Sequence, residues 1–209
     1  MSKTLVIGAS GQIGKMTTKL LLSQQQHVVA LVRDKSKLND IENSNLSVVE
    51  QDLEGDFSQA FTGCDQVIFA AGSGGSTGAD KTILIDLWAA TKAANYAKDH
   101  DIKNFLMVSS IGADDPDAIE SELKPYLVAK HMADEHLKQS GLNYTIVRPG
   151  TLTDESASMQ VTTQRPNSKE DAKISRENVA NSLAHIASKP PGEKAIFELF
   201  DGDQVISSL

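Results

Sequence analysis

Short runs of apolar residues alternate along this chain with longer stretches in which apolar residues recur at helical spacing. The runs rich in β-branched residues cover 5–7, 28–32, 46–49, 66–70, 105–108 and 144–147, with a later one at 196–200. Their length and composition are typical of strands buried on both faces of a parallel sheet. The helical patterns follow Gly11 and cover 80–98, 121–139 and 176–187. The alternation predicts an α/β fold with one doubly wound parallel (Rossmann) sheet and helices on both faces.

One segment departs from this alternation. Residues 151–173 are rich in Thr, Ser and Gln, contain Pro166 and show no clear periodicity. A stretch of this length without a pattern is either a functional lid or poorly ordered. We expect a small C-terminal lid or substrate loop here, within a single domain that spans residues 1–209.

Composition narrows the classes of function. The formal net charge of −8 argues against a nucleic-acid or anionic-membrane surface, because both require clustered Lys and Arg. The single cysteine, Cys64, excludes a disulfide framework, and no His or acidic cluster has the spacing of a metal site. No apolar run is long enough to span a membrane, and Met1–Thr4 do not begin a signal peptide. We therefore expect a cytoplasmic protein without a metal.

A glycine-rich turn follows the first predicted strand and leads into the first predicted helix. It reads Gly-Ala-Ser-Gly-Gln-Ile-Gly from Gly8 to Gly14, with Gly11 between them. In this context the first glycine permits a tight turn, the second lets backbone approach a pyrophosphate, and the third lets the helix pack closely on the sheet. The amides of the helix N-terminus would then bind the phosphates. We expect a dinucleotide to contact the residues of this turn: Gly8, Ser10, Gly11, Gln12, Ile13 and Gly14.

The end of the second strand bears on the choice between NAD and NADP. Enzymes that use NAD usually place Asp or Glu there, where it binds the ribose hydroxyls, but this chain has Val32 followed by Arg33. Arg33 could bind a 2′-phosphate, or it could be an ordinary solvated side chain next to Asp34. The sequence favours NADP, with NAD as the alternative.

A second motif places a phenol and an ammonium on one helical face. Tyr126 and Lys130 are four residues apart, so they point the same way on the helix 121–139. A nearby cation lowers the pKa of a phenol, which can then exchange a proton with a carbonyl or alcohol. Ser109 and Ser110 precede Tyr126 at the end of the fifth strand.

In this order the motifs resemble the short-chain dehydrogenase/reductase superfamily. The glycine turn, the serine pair, Tyr-x-x-x-Lys and Arg148-Pro149-Gly150 are most similar to its compact extended or atypical branch, which includes NmrA-like and epimerase/dehydratase-like proteins. The resemblance implies Tyr126 as acid/base, Lys130 as the residue that lowers its pKa and holds the nicotinamide ribose, and Ser110 as the substrate-orienting residue. It further implies cofactor contacts at Asp52, Leu53, Ala70, Ala71, Gly72, Pro149 and Gly150. Many members have an Asn on the fourth helix, where this chain has Asp86.

Three functions remain as alternatives. The first is an NAD(P)H-dependent oxidoreductase that acts on a small carbonyl or similar acceptor. The second is a non-catalytic NADP(H)-binding sensor or regulator of the NmrA-like type. The third is a nucleotide-sugar epimerase or dehydratase, which we rank last because only 59 residues follow Gly150. We expect a small-molecule substrate and either a monomer or a homodimer.

Overall fold

A nine-stranded, mostly parallel sheet forms the centre of this computed structural model, which describes residues 2–75, 77–118, 122–189 and 192–209. Its strand order is β3-β2-β1-β4-β5-β6-β10-β8-β11, and β7 pairs with β9 in a separate two-stranded parallel sheet. The strands are β1 (Lys3–Ile7), β2 (His27–Val32), β3 (Leu46–Glu50), β4 (Gln66–Phe69), β5 (Asn104–Val108), β6 (Tyr144–Pro149), β7 (Thr151–Thr153), β8 (Gln160–Thr162), β9 (Lys173–Ser175), β10 (Ala195–Asp201) and β11 (Gln204–Val205). The predicted doubly wound α/β fold is confirmed.

Helices cover both faces of the sheet. They are α1 (Gln12–Ser23), α2 (Ala79–Lys81), α3 (Ala90–Asp99), α4 (Lys124–Gln139) and α5 (Arg176–Ala187), with short 3-10 helices at Lys35–Leu38, Ser58–Phe61, Pro116–Ala118 and Ile206–Ser208. None of the described helices is both long and apolar enough to cross a membrane. Apolar side chains of α3 and α4 pack on one face of the sheet, and those of α1 and α5 pack on the other.

Between α2 and α3 the chain stays helical but changes its hydrogen bonding. Residues Thr82–Ala89 form a π-helix, so that 79–99 is one uninterrupted composite helix where the sequence predicts 80–98. The alanines of α3 at 90, 93, 94 and 97 are buried against the sheet. Small side chains at these positions let the helix lie close to β4 and β5, which explains the alanine-rich composition.

The observed ranges of α4 and α5 match the predicted ranges except at the start of α4. Helix α4 begins at Lys124 rather than at 121, because Pro125 favours the first turn of a helix and has no amide to bond further back. Ser121 itself lies outside the described residues. Helix α5 coincides with the predicted 176–187.

The structure corrects the prediction for one strand. Strand β3 is not buried on both faces: it lies at the edge of the sheet, and Ser47 and Val48 are exposed. The segment 151–173, for which the sequence left a lid or a poorly ordered stretch as alternatives, contains β7, β8 and the start of β9. Strand β8 pairs antiparallel with β10 and β11, a pairing that short polar strands do not signal in their sequence.

Replacement of Gly150 by Ala should destabilise the end of β6. An added Cβ would lie 2.5 Å from the carbonyl oxygen of Ala172 and 2.7 Å from Cδ1 of Phe200. We expect the free energy of unfolding in urea to fall by about 1–3 kcal/mol, the usual cost of overpacking. Gly192→Ala is the control, because among the described residues, its chain neighbours apart, no atom lies within 4 Å of its added Cβ. Equal stability of the two variants would contradict this prediction.

Candidate functional site

The carboxyl ends of β1 to β6 meet at one edge of the sheet, and the glycine turn lies in the middle of that edge. Gly8 has a φ of +82°, and its amide donates to the carbonyl of Leu31 at 3.2 Å. A Cβ on Gly8 would lie 2.7 Å from backbone atoms of Ala71, and one on Gly14 would lie 2.3 Å from the carbonyl oxygen of Gly8. Both positions therefore require glycine, which keeps the turn pressed against the end of β4.

The N-terminus of α1 is open for an anion. Gly11 is the N-cap, no side chain caps the helix, and no acidic residue occupies its first turn. The first-turn amides cannot bond within the helix, so the amides at Gln12 and Ile13 are available to a ligand. Gly11 and Gln12 are exposed and Ser10 is half-buried. This cradle fits a pyrophosphate, as the sequence predicts.

Arg33 lies at the neighbouring strand end, directly after β2. Its side chain is exposed, and among the described residues no hydrogen bond or ion pair engages its guanidinium. The carboxylate of Asp34 instead accepts from the amide of Ser36 at 3.0 Å and from the Ser36 hydroxyl at 2.6 Å. These hydrogen bonds lower the pKa of Asp34 and commit its carboxylate to its own turn. The carboxylate of Asp34 is therefore engaged within its own turn and is not held ready to bind a ribose. The guanidinium of Arg33 has no partner among the described residues.

A lysine of α3 fixes the turn that follows β3. Lys92 Nζ donates to the carbonyls of Leu53, at 2.8 Å, and of Glu54 and Gly55. Asp52 is exposed, and its Oδ1 accepts from the amide of Glu54 at 3.0 Å. The carboxylate of Asp52, which the resemblance implies as a cofactor contact together with Leu53, therefore already serves as a turn acceptor.

The segment after β4 contacts a buried carboxylate. The Ala70 amide continues the pairing with β1, and the chain then passes through Ala71 and Gly72 along the open edge. Asp86, in the π-helical part of the composite helix, accepts from the amide of Ser73 at 3.1 Å. The same carboxylate lies 3.6 Å from Lys130 Nζ, and the Asp86 side chain is only 1% exposed. The composite helix thereby reaches the predicted catalytic lysine.

Lys130 is buried below Tyr126. Its Nζ donates to the carbonyl of Val108 at 2.9 Å and lies 5.8 Å from the centroid of the Tyr126 ring. The Lys130 side chain is 4% exposed, whereas Tyr126 is half-buried in the first turn of α4. The predicted pair therefore lies together at the carboxyl edge, with a buried ammonium and a half-buried phenol ring.

The charge of Lys130 is maintained by its neighbours. Burial by itself lowers the pKa of this ammonium, but Tyr126, Asp86 and Asp134 outweigh burial and raise the pKa above its ordinary value. A buried cation with a raised pKa stays protonated across the neutral range.

The remaining predicted residues lie at the ends of β5 and β6. Ser110 is half-buried, and its hydroxyl donates to the carbonyl of Ile111 at 3.1 Å. Pro149 and Gly150 are buried, and the Pro149 carbonyl accepts from the amide of Ile111 at 3.0 Å. The loops after these two strands are thus joined, and the structure brings Ser110 to the same edge as Tyr126.

Asp134 and Arg148 form a buried ion pair below this edge, which the sequence analysis did not predict. Asp134 Oδ2 accepts from the Ser109 hydroxyl at 2.9 Å and from Nε and Nη2 of Arg148, each at 3.0 Å. Burial raises the pKa of Asp134, and the donors from Ser109 and Arg148 oppose that rise. One signal was present: Asp134 follows Lys130 by four residues on the stripe of α4 that also carries Leu127 and Leu137. A carboxylate on that stripe requires a partner.

The segment 151–173 lies across the edge. Asp154 accepts from Gln12 Nε2 at 3.3 Å and pairs with Arg176, while Arg165 pairs with Glu198 and lies 3.6 Å from Asp114. These exposed contacts connect the segment to the glycine turn on one side and to the loop after β5 on the other. Among the described residues no group of three His, Cys, Asp or Glu is arranged to hold a metal ion.

Comparison with known proteins agrees with this geometry. Residues 8–190 match the family of NAD(P)H-binding proteins. The chain belongs to that family. It is 40% identical to an uncharacterized sugar epimerase of Bacillus subtilis (YhfK), over 98% of this chain and 97% of the relative. Membership of the NAD(P)H-binding family confirms the expectation of a nicotinamide dinucleotide.

Solved structures place the fold in the same group. A candidate NAD-dependent epimerase/dehydratase from Bacillus halodurans has a TM-score of 0.93 and 40% identity, and the match covers 100% of this chain and 98% of that protein. The oxidoreductase YlbE from Lactococcus lactis has a TM-score of 0.87 and 26% identity, over 99% and 94% of the two chains. The Rossmann-like fold and its relation to epimerase/dehydratase-like proteins are thereby confirmed.

Removal of the Arg148 charge should lower the free energy of unfolding. In Arg148→Met, the Ser109 hydroxyl is the one hydrogen-bond donor that Asp134 keeps among the described residues. Leaving a buried charge unpaired costs about 3–5 kcal/mol of unfolding free energy. The loss of Arg148 raises the pKa of Asp134 further, so the deficit should be largest at neutral pH and shrink in acid, where Asp134 binds a proton. Urea denaturation across pH measures both effects.

The ion pair of Arg165 and Glu198 provides the control for that measurement. Arg165→Met removes an arginine whose side chain is 51% exposed, and it should cost about 1 kcal/mol or less. A deficit in Arg148→Met that is no larger than this, or that grows in acid, would contradict the assignment of a buried ion pair.

Proposed function

We propose that this protein is an NADP(H)-dependent oxidoreductase that acts on a small carbonyl or similar acceptor. The observation that carries the proposal is the buried, charged Lys130 beneath Tyr126, at the same strand edge as an open anion cradle. A glycine turn alone explains binding of a dinucleotide. A phenol held beside a buried ammonium adds a group that can exchange a proton where the nicotinamide is expected.

Each residue at the edge has a proposed role. A bound reduced dinucleotide would supply the hydride that the carbonyl carbon of the acceptor takes up. Tyr126 donates a proton to the acceptor oxygen, so that the carbonyl becomes an alcohol. Lys130 stabilises the resulting phenolate and binds the nicotinamide-side ribose. Ser110 orients the acceptor oxygen through its hydroxyl, and Tyr126 regains its proton from water.

The remaining cofactor contacts follow the order of the strands. Gly8 to Gly14 bind the pyrophosphate, and Asp52 and Leu53 contact the adenine. Ala70, Ala71 and Gly72 lie along the ribose, and Pro149 and Gly150 lie beside the nicotinamide. The segment 151–173 covers the acceptor as a lid within one domain. Its exposed contacts to Gln12 and Asp114 support this role, because weak surface pairs can open and close at little cost.

The preference for NADP is carried by Arg33. Its guanidinium is exposed and unengaged among the described residues, no carboxylate occupies position 32, and Asp34 is bonded to Ser36. A 2′-phosphate would therefore meet a free fork of donors rather than a competing acid.

Arg33→Gln should weaken NADPH binding by about 10- to 100-fold, which corresponds to the loss of a charge-assisted hydrogen bond. NADH binding should change little, because NADH has no 2′-phosphate. Titration of the reduced nicotinamide fluorescence measures both dissociation constants. Lys37→Gln, which removes an exposed cation from the same turn, is the control and should affect both dinucleotides alike. Parallel losses for NADPH and NADH in Arg33→Gln would argue for general electrostatics instead.

Tyr126→Phe should retain NADPH binding and lose turnover by about 10²- to 10⁴-fold, the usual contribution of an acid/base group. The assay follows NADPH absorbance with a panel of aldehydes, ketones, quinones and nucleotide sugars. Tyr144→Phe is the control, because Tyr144 begins β6 at the opposite edge of the sheet. A fully active Tyr126→Phe would refute the assigned role. Binding of NADPH by the parent protein without turnover of any panel member would favour the sensor.

A further inference from the structure

Asp86 is a buried carboxylate with two different environments for its two oxygens. Oδ2 accepts from the amide of Ser73 at 3.1 Å. Oδ1 has no hydrogen-bond partner among the described residues and is the atom that lies 3.6 Å from Lys130 Nζ. The Asp86 side chain is only 1% exposed, so bulk solvent contributes little to these contacts. Its charge is therefore compensated by Lys130.

Lys130 in turn depends on Asp86 for compensation of its own charge. The groups that face Lys130 are Tyr126 and Asp134 from its own helix, Asp86 from the composite helix and the Val108 carbonyl from β5. Asp134 is already committed to Ser109 and Arg148. Asp86 is thus the carboxylate that pairs directly with the ammonium, and a buried ammonium without such a partner is strongly disfavoured.

The loop on the other side of Asp86 is equally constrained. A Cβ on Gly72 would lie 3.1 Å from Asp86 Oδ1, so the turn Gly72–Ser73 is packed on the carboxylate as well as bonded to it. One side chain therefore links the turn along the proposed ribose path with the lysine proposed to bind that ribose.

We propose that Asp86 is a positioning residue that acts through Lys130 on the nicotinamide half of the dinucleotide. Its carboxylate holds the ammonium and the Gly72–Ser73 turn in one fixed arrangement, and it does so as a charge rather than as a neutral amide. This inference rests on the proposed function in one respect, namely that Lys130 contacts the nicotinamide side of the cofactor.

The experiment compares two ligands that share one end. NADPH reaches both Arg33 and Lys130, whereas adenosine 2′,5′-bisphosphate has the 2′-phosphate and lacks the nicotinamide riboside. Asp86→Asn should weaken NADPH binding about tenfold, within the range of coupling between contacting residues, and leave the bisphosphate unaffected. Asp65→Asn is the control, because it removes a carboxylate that pairs with Lys103 at the surface. Equal losses for both ligands in Asp86→Asn would overturn the proposal.

The pH profile separates positioning from general damage to the fold. Lys130 keeps its proton in the parent protein because Asp86 helps to raise its pKa. In Asp86→Asn that pKa falls, so NADPH affinity should decline with rising pH at a lower midpoint than in the parent. The profile for adenosine 2′,5′-bisphosphate should be the same in both proteins. Identical midpoints for NADPH would overturn the proposal.

A double variant covers the case in which Asp86→Asn does not fold. Asp86→Asn with Lys130→Met leaves neither charge buried alone, and it should fold and bind NADPH as Lys130→Met does. Recovery of folding in the double variant supports the ion pair, while a further loss of affinity beyond Lys130→Met shows that Asp86 acts independently and refutes the proposal. If the parent protein binds neither ligand, the proposed function fails instead.

Discussion

The ammonium of Lys130, which is buried at the carboxyl edge of the sheet, imposes the main physical constraint on this molecule. A cation at such a place must be compensated, and the protein supplies Asp86 from the composite helix, the Val108 carbonyl from β5 and Asp134 from α4. Asp134 in turn requires Arg148 at the end of β6. The compensation of one charge therefore fixes the composite helix, α4 and the ends of β5 and β6 relative to one another, where the nicotinamide is proposed to bind.

Sequence patterns predicted the fold well because most of it follows from local periodicity. The glycine turn was predictable for the same reason: Gly8 and Gly14 each occupy a position where a Cβ would collide with backbone. Strand β3 was wrongly predicted as buried, since an apolar run does not reveal which strand ends the sheet. The antiparallel place of β8 depends on contacts made late in the chain, which short polar strands do not encode locally.

The motifs of the candidate site could be predicted from the sequence, but the buried charged residues that hold them in place could not. Tyr126 and Lys130 share a face by spacing alone, but the partner of Lys130 lies 44 positions earlier, on a helix whose π-helical turn is not visible as a pattern. Asp134 offered a weak signal as a charge on an apolar stripe. Its partner Arg148 could not be inferred, because the pairing of α4 with the end of β6 is a property of the assembled sheet.

The exposed edge at β3 has a consequence for the behaviour of the protein at high concentration. The outer side of this strand presents unpaired backbone donors and acceptors, and Val48 adds an apolar side chain that is 41% exposed. Such an edge is a template for strand addition and aggregation. The strand is only five residues long and ends at Glu50, which pairs with Lys35. Its short length and the charged residues at its end oppose the addition of further strands. The overall charge of −8 keeps copies of the chain apart at neutral pH. Near the isoelectric point that repulsion is lost, and the exposed edge then predisposes the chain to aggregate.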